Sequence, residues 1–153
     1  MREALREAEE AGRRGDRPIG AVIVHNGLVI ARGSSRAVTM RSNVHHAENM
    51  AIISCAPYLY EYSKECTIYT TVEPCLMCLG TIILANIRRV VFGITDKYMK
   101  METYINCNDY PQKRLHLYQS GVLEEECREV FRKYSDERER RIVLGEVNVE
   151  ELF

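Results

Sequence analysis

A chain of 153 residues with 21 Lys and Arg against 22 Asp and Glu, a net charge of −1 and 46% hydrophobic residues has the make-up of one soluble globular domain. At this length one core can bury roughly 68–70% of the unfolded surface, so neither a second domain nor covalent staples are needed. The near-neutral balance and a sequence pI of about 6.4 lack the basic excess by which nucleic-acid binders displace counterions, which demotes nucleic acid but leaves room for a local patch.

The uncharged run Pro74 to Ile87 falls well short of the ~20 residues that cross a bilayer, so no membrane partner is expected. The opening MREALREAEEAGRRG is charged throughout and has no apolar stretch ahead of a cleavage site, which argues for a cytoplasmic chain. The cysteines at 55, 66, 75, 78, 107 and 127 are unevenly placed, and only Cys75 and Cys78 are close together. That pattern fits a metal or redox pair in a reducing compartment better than a disulfide framework.

Residues 2–14 are rich in Ala, Glu, Arg and Leu and predict a helix that stops at Gly15-Asp16-Arg17-Pro18. The β-rich runs 19–24 and 28–31 flank Asn26-Gly27, a strong hairpin signal because both residues tolerate positive φ. Residues 33–44 read as a loop, and 47–56 as a helix that ends before Pro57 and is buried on most sides. A strand over 66–72, an apolar helix over 75–85 and a strand over 89–94 make a βαβ unit with parallel strands. Residues 95–114 show no period, and 115–118 predict a short last strand.

After Gly121, apolar residues at 123, 127, 130, 131 and 134 predict a helix with one face on the sheet. Its pairs Glu124/Arg128, Glu129/Lys133, Asp136/Arg140 and Glu137/Arg141 read as a solvated face laced by i,i+4 ion pairs. Residues 142–153 form an apolar and acidic tail ending in Phe153.

Two clusters carry chemistry: His46-Ala47-Glu48 and Pro74-Cys75-Leu76-Met77-Cys78, each at the start of a helix. A Cys-x-x-Cys pair there sets both sulfurs on one turn, where unpaired amides and the helix dipole favour the thiolate that binds zinc. His46 makes a third ligand, and a three-ligand zinc is the catalytic kind, because its fourth position admits a water of lowered pKa. Glu48, two residues past His46, cannot share its helical face but can reach across the metal, where a free carboxylate suits a proton shuttle.

These motifs resemble the cytidine/deoxycytidylate deaminase superfamily over residues 17–134. TVEPCLMC followed by RRVVFG is most similar to the branch that holds tRNA adenosine deaminase, guanine deaminase and fungal cytosine deaminase. The resemblance implies one Zn²⁺ per chain on His46, Cys75 and Cys78, with Glu48 as general acid/base. It further implies base contacts from the Ala47 amide and the carbonyl near Glu73. In this branch an Asn stands eleven residues before the zinc His, whereas this chain has Ser35 there, with a shorter reach and one donor instead of an amide's donor and acceptor.

The fold expected is a single three-layer α/β/α domain over 1–153, cytidine-deaminase-like, with a five-stranded mixed sheet and both zinc-site helices on one face. Their apolar surface exceeds what one sheet face covers, so a homodimer is expected. The function expected first is hydrolytic deamination of an amino-substituted nucleobase or small nucleoside. The alternative is tRNA adenosine-to-inosine deamination, and from another class a non-catalytic deaminase-fold partner subunit, which ought to lack Glu48. Rival readings of the cysteines are a thioredoxin-like redox pair and a closed zinc site completed by His45, Cys55, Cys66 or Cys107, none of which has ligand spacing.

Overall fold

The structure is a computed structural model that describes residues 1–146. Helix α1 (Arg2–Arg13) leads into the hairpin of β1 (Gly20–His25) and β2 (Leu28–Ser34). Asn26 and Gly27 both take positive φ, 49° and 77°, as a primed turn demands. β2 runs on to Ser34, past the expected start of the loop, because Gly33 and Ser34 pair with Ala21 and Gly20.

The helix expected over 47–56 ends before Pro57 as α2 (Ala47–Ser54), and a further helix, not expected, follows it. α2 ends at Cys55, whose φ of −129° is not helical, and α3 (Ala56–Tyr62) starts with Pro57 in its first turn. Proline lacks only an amide that a first turn leaves unpaired, so it opens a helix as readily as it closes one. β3 (Thr67–Val72), α4 (Leu76–Leu84) and β4 (Arg89–Ile94) form the parallel βαβ unit. The long connection holds two short helices, α5 (Met101–Asn106) and α6 (Asp109–Arg114), before β5 (Leu117–Gln119) pairs parallel to β4.

The sheet order is β2-β1-β3-β4-β5, five strands and mixed, as expected. α1 and α7 (Glu124–Leu144) pack on one face, while α2 and α4 lie side by side on the other. Ala47, Ala51, Ile52 and Ile82 close the second face over Ile23, Ile68, Val90 and Phe92. Close approach is permitted by Gly20 and Gly33: a Cβ on the first would fall on the backbone of Ala4 and Ala8, and on the second on that of Ala47 and Ala51.

The last helix is corrected in one respect. Ser135, at φ −162° and ψ 66°, kinks α7, so the second half turns back on the first. Glu139 thereby reaches Arg128 and Arg132, at 3.2 and 3.4 Å, and Lys133 pairs with Glu9 of α1. Among the described side chains, Arg128 and Lys133 thus pair with Glu139 and Glu9 rather than with the expected Glu124 and Glu129. Residues 147–153, including Phe153, lie outside the described residues.

Candidate active site

His46 caps the N-terminus of α2 and Cys75 that of α4, both with extended backbone, and Cys78 follows on the first turn of α4. Because α2 and α4 start at the same end of the sheet, His46 Nδ1 lies 3.5 Å from Cys75 Sγ and 3.4 Å from Cys78 Sγ. One ligand atom from each of the three falls within 4.8 Å of the others. Cys75 is pulled down to about 4, first by its hydrogen bond with Cys78 and further by His46. Cys78 is pushed up, first by Cys75 and then by burial. Two cysteine sulfurs, one of them with its thiol pulled well down, and an imidazole nitrogen are the soft-to-borderline set that zinc takes, so the residues fit the metal.

Glu48 is buried, 3% exposed, and Thr70 Oγ1 donates to its Oε1 at 3.5 Å. Burial pushes its carboxyl up, which suits a group that must take a proton and return it. Ala47, at the first helical position of α2, has an amide with no acceptor inside its own helix. Glu73 lines the same cavity, of about 930 Å³, with both carboxylate oxygens engaged. Tyr118 donates its hydroxyl to one at 2.9 Å, and the Asp96 amide donates to the other at 2.9 Å.

Ser35 lies apart. It is buried, its amide bonded to Ile19 O and its carbonyl to Arg14, while its hydroxyl has no hydrogen-bond partner among the described residues and the cavity wall does not include it. His45, Cys55, Cys66 and Cys107 stand outside the ligand cluster.

The cavity also holds residues that no motif pointed to: Arg17, Asp96 and, from the returning half of α7, Arg141 and Ile142, while Tyr98 is one of the tyrosines of the 95–114 connection. Asp96 carried a signal. It stands two residues past β4, and in open α/β sheets ligands gather beyond the carboxyl ends of parallel strands. Its Oδ1 accepts from the amides of Tyr98 and Met99, shaping the cavity edge. Arg141 and Ile142 carried none, because only the Ser135 kink returns them: Lys97 N donates to Ile142 O at 2.9 Å, and the Arg141 guanidinium lies 4.0 Å above the Tyr98 ring.

A three-layer α/β/α sheet with a His-Cys-Cys cluster and a buried glutamate at two helix N-termini describes a zinc-dependent deaminase. The model of the cytidine and deoxycytidylate deaminase zinc-binding region matches residues 1–94, and the chain belongs to that family. The tRNA-specific adenosine deaminase of Bacillus subtilis strain 168 is 40% identical over 131 residues, covering 83% of this chain and 81% of that protein. A structure from work on A-to-I editing by tRNA:A34 deaminases at the wobble position is 35% identical, covers 85% of this chain and 96% of its own, and superposes with a TM-score of 0.75. A guanine deaminase from Bacillus subtilis is 37% identical but covers 60% of this chain and 59% of its own, at a TM-score of 0.54.

Proposed function

We infer that this protein is a hydrolytic deaminase that turns adenosine into inosine within a tRNA. The chemistry rests on the His46, Cys75 and Cys78 cluster with Glu48 beside it. The choice of substrate rests on likeness to tRNA adenosine deaminases over most of both chains, which reverses the order in which charge alone ranked small bases and RNA.

His46, Cys75 and Cys78 would hold the zinc, which when bound supplies Lewis-acid activation of water. Glu48 takes one proton from the water and delivers it to the ring nitrogen, then takes the second from the hydroxyl now on the ring carbon and delivers it to the departing amine, whose bond to that carbon breaks. The Ala47 amide donates to the base, and the carbonyl near Glu73 accepts from the amino group. Adenosine and water leave as inosine and ammonia. The intact Glu48 argues against a non-catalytic subunit.

Ile53 of α2 and Leu76 and Leu84 of α4 are apolar yet 69%, 47% and 75% exposed, which suits their burial against a second copy of the chain. A second substrate reading, a free purine base, is favoured by the returning half of α7 along the cavity and by the net charge of −1. Inosine formation in an anticodon stem–loop with adenosine at the wobble position, set beside ammonia release from adenine, guanine, cytosine and adenosine, separates the two. Turnover of a free base far above that of the stem–loop would overturn the tRNA reading.

A further inference from the structure

Glu73 follows β3 directly and stands two residues before Cys75, the N-cap of α4. Its amide donates to Ile94 O at 2.8 Å, and the residue is buried. From there its carboxyl reaches two other segments: Oε2 accepts from the Asp96 amide just beyond β4, and Oε1 accepts from the Tyr118 hydroxyl of β5, both at 2.9 Å. One side chain thus joins three neighbouring parallel strands, β3, β4 and β5.

Tyr118 is built for that contact. Its ring lies beside Phe92 of β4, with centroids 4.9 Å apart, and packs against the cluster of Leu79 and Ile83 from α4 and Met101 from α5. A phenylalanine would meet those apolar contacts as well, so what the tyrosine adds is a hydroxyl, and a buried hydroxyl needs a partner. A buried carboxyl must likewise be hydrogen-bonded, and both groups that reach Glu73 are donors.

The turn after Glu73 has few restraints of its own. Pro74 has no amide to donate, and Cys75 is extended, at φ −65° and ψ 170°, before the helix begins. The Glu73 side chain supplies a tie at the start of this turn. Two functional atoms depend on it: the Glu73 carbonyl, which in the reading above accepts from the amino group, and the Cys75 sulfur of the metal cluster. The tie extends to the cavity edge, because Asp96 Oδ1 holds the amides of Tyr98 and Met99.

We propose that Tyr118 is a positioning residue of this site: its hydrogen bond to Glu73 fixes the Glu73-Pro74-Cys75 turn, and with it the carbonyl offered to the amino group and the sulfur offered to the metal. The carbonyl half rests on the deaminase reading above and deepens it, whereas the sulfur half stands on the metal cluster alone.

The test uses the zinc-loaded full-length protein with Tyr118→Phe, which removes one oxygen and leaves the ring packing in place. Zinc transfer to a chelator should speed up about tenfold, the size of one buried hydrogen bond. On whichever of the wobble stem–loop and the free bases the wild type turns over, kcat should fall about tenfold with KM within about twofold, as for a contact that counts in the transition state. In a Glu73→Ala background the same change should add less than about twofold to either loss, because the acceptor is already gone. A role in packing alone would lower Tm and leave zinc transfer and kcat at their wild-type values, and either value unchanged would overturn the proposal. Full additivity with Glu73→Ala would overturn it too, since the effect of Tyr118 would then bypass Glu73. Where Glu73→Ala does not fold, Tyr118→Phe decides by itself. If the wild type turns over none of these substrates, the deaminase reading falls and zinc transfer decides: faster transfer in Tyr118→Phe supports the proposal, and the wild-type rate overturns it.

Discussion

Glu48 and Asp16 are both buried carboxylates with opposite tasks. Burial raises the Glu48 carboxyl, and Thr70 Oγ1 donates to it at 3.5 Å, which suits a group that takes and returns a proton. Glu48→Gln should keep one zinc per chain and lower kcat by about 10²–10⁴-fold, because it removes a proton carrier and no ligand. Metal analysis beside steady-state kinetics checks both halves. Asp16 is anchored instead: it accepts from the amides of Val38 and Thr39 and from the Thr39 hydroxyl, at 2.9–3.0 Å. Burial works to raise its pKa, but those hydrogen bonds outweigh it and hold the carboxyl below its ordinary value. A folded pKa below the unfolded one contributes stability above about pH 4 that is lost as pH falls through the folded value. Asp16→Asn should cost about 1–3 kcal/mol at pH 7. Its Tm gap to the wild type should stay level above about pH 5 and close on acidification, and a gap constant down to pH 2 would refute the account.

At the scale of elements, the hairpin and α2 are the parts whose fit decides the site. Gly33 lies against the backbone of Ala47 and Ala51, and α2 carries both His46 and Glu48. Gly33→Ala should therefore lower Tm and zinc retention against a chelator together, since a Cβ there must push α2 away from β2. Loss of Tm with undiminished zinc affinity would show that α2 shifts without moving the ligand. Elements with one strong local signal were legible before folding: Asn26-Gly27 for the hairpin, Pro74 and Cys75 for the start of α4. The further helix α3 after Cys55 and the kink at Ser135 were not. Pro57 serves a helix start as well as a helix stop, and nothing in residues 132–138 marks a reversal, because the partners that hold it, Glu139 with Arg128 and Arg132, sit up to eleven residues apart.

For the molecule as a whole, the exposed apolar residues of α2 and α4 predict association. Leu84→Glu, 75% exposed in the single chain, should leave Tm of the isolated chain nearly unchanged but move the sedimentation coefficient from dimer to monomer. A monomeric wild type would remove the homodimer. The metal centre was readable as a linear pattern because each cluster sits at a helix N-terminus, where backbone geometry alone fixes which way a first-turn side chain points. His46, Cys75 and Cys78 bring their ligand atoms within 4.8 Å of one another. Folding alone placed the cavity wall. Arg17 from the entry to β1, Asp96 from the end of β4 and Arg141 from the returned half of α7 are far apart in sequence and carry no shared spacing. A sheet order of β2-β1-β3-β4-β5 brings the ends of their elements to one edge, and such contacts follow from packing between elements, which local periodicity does not encode.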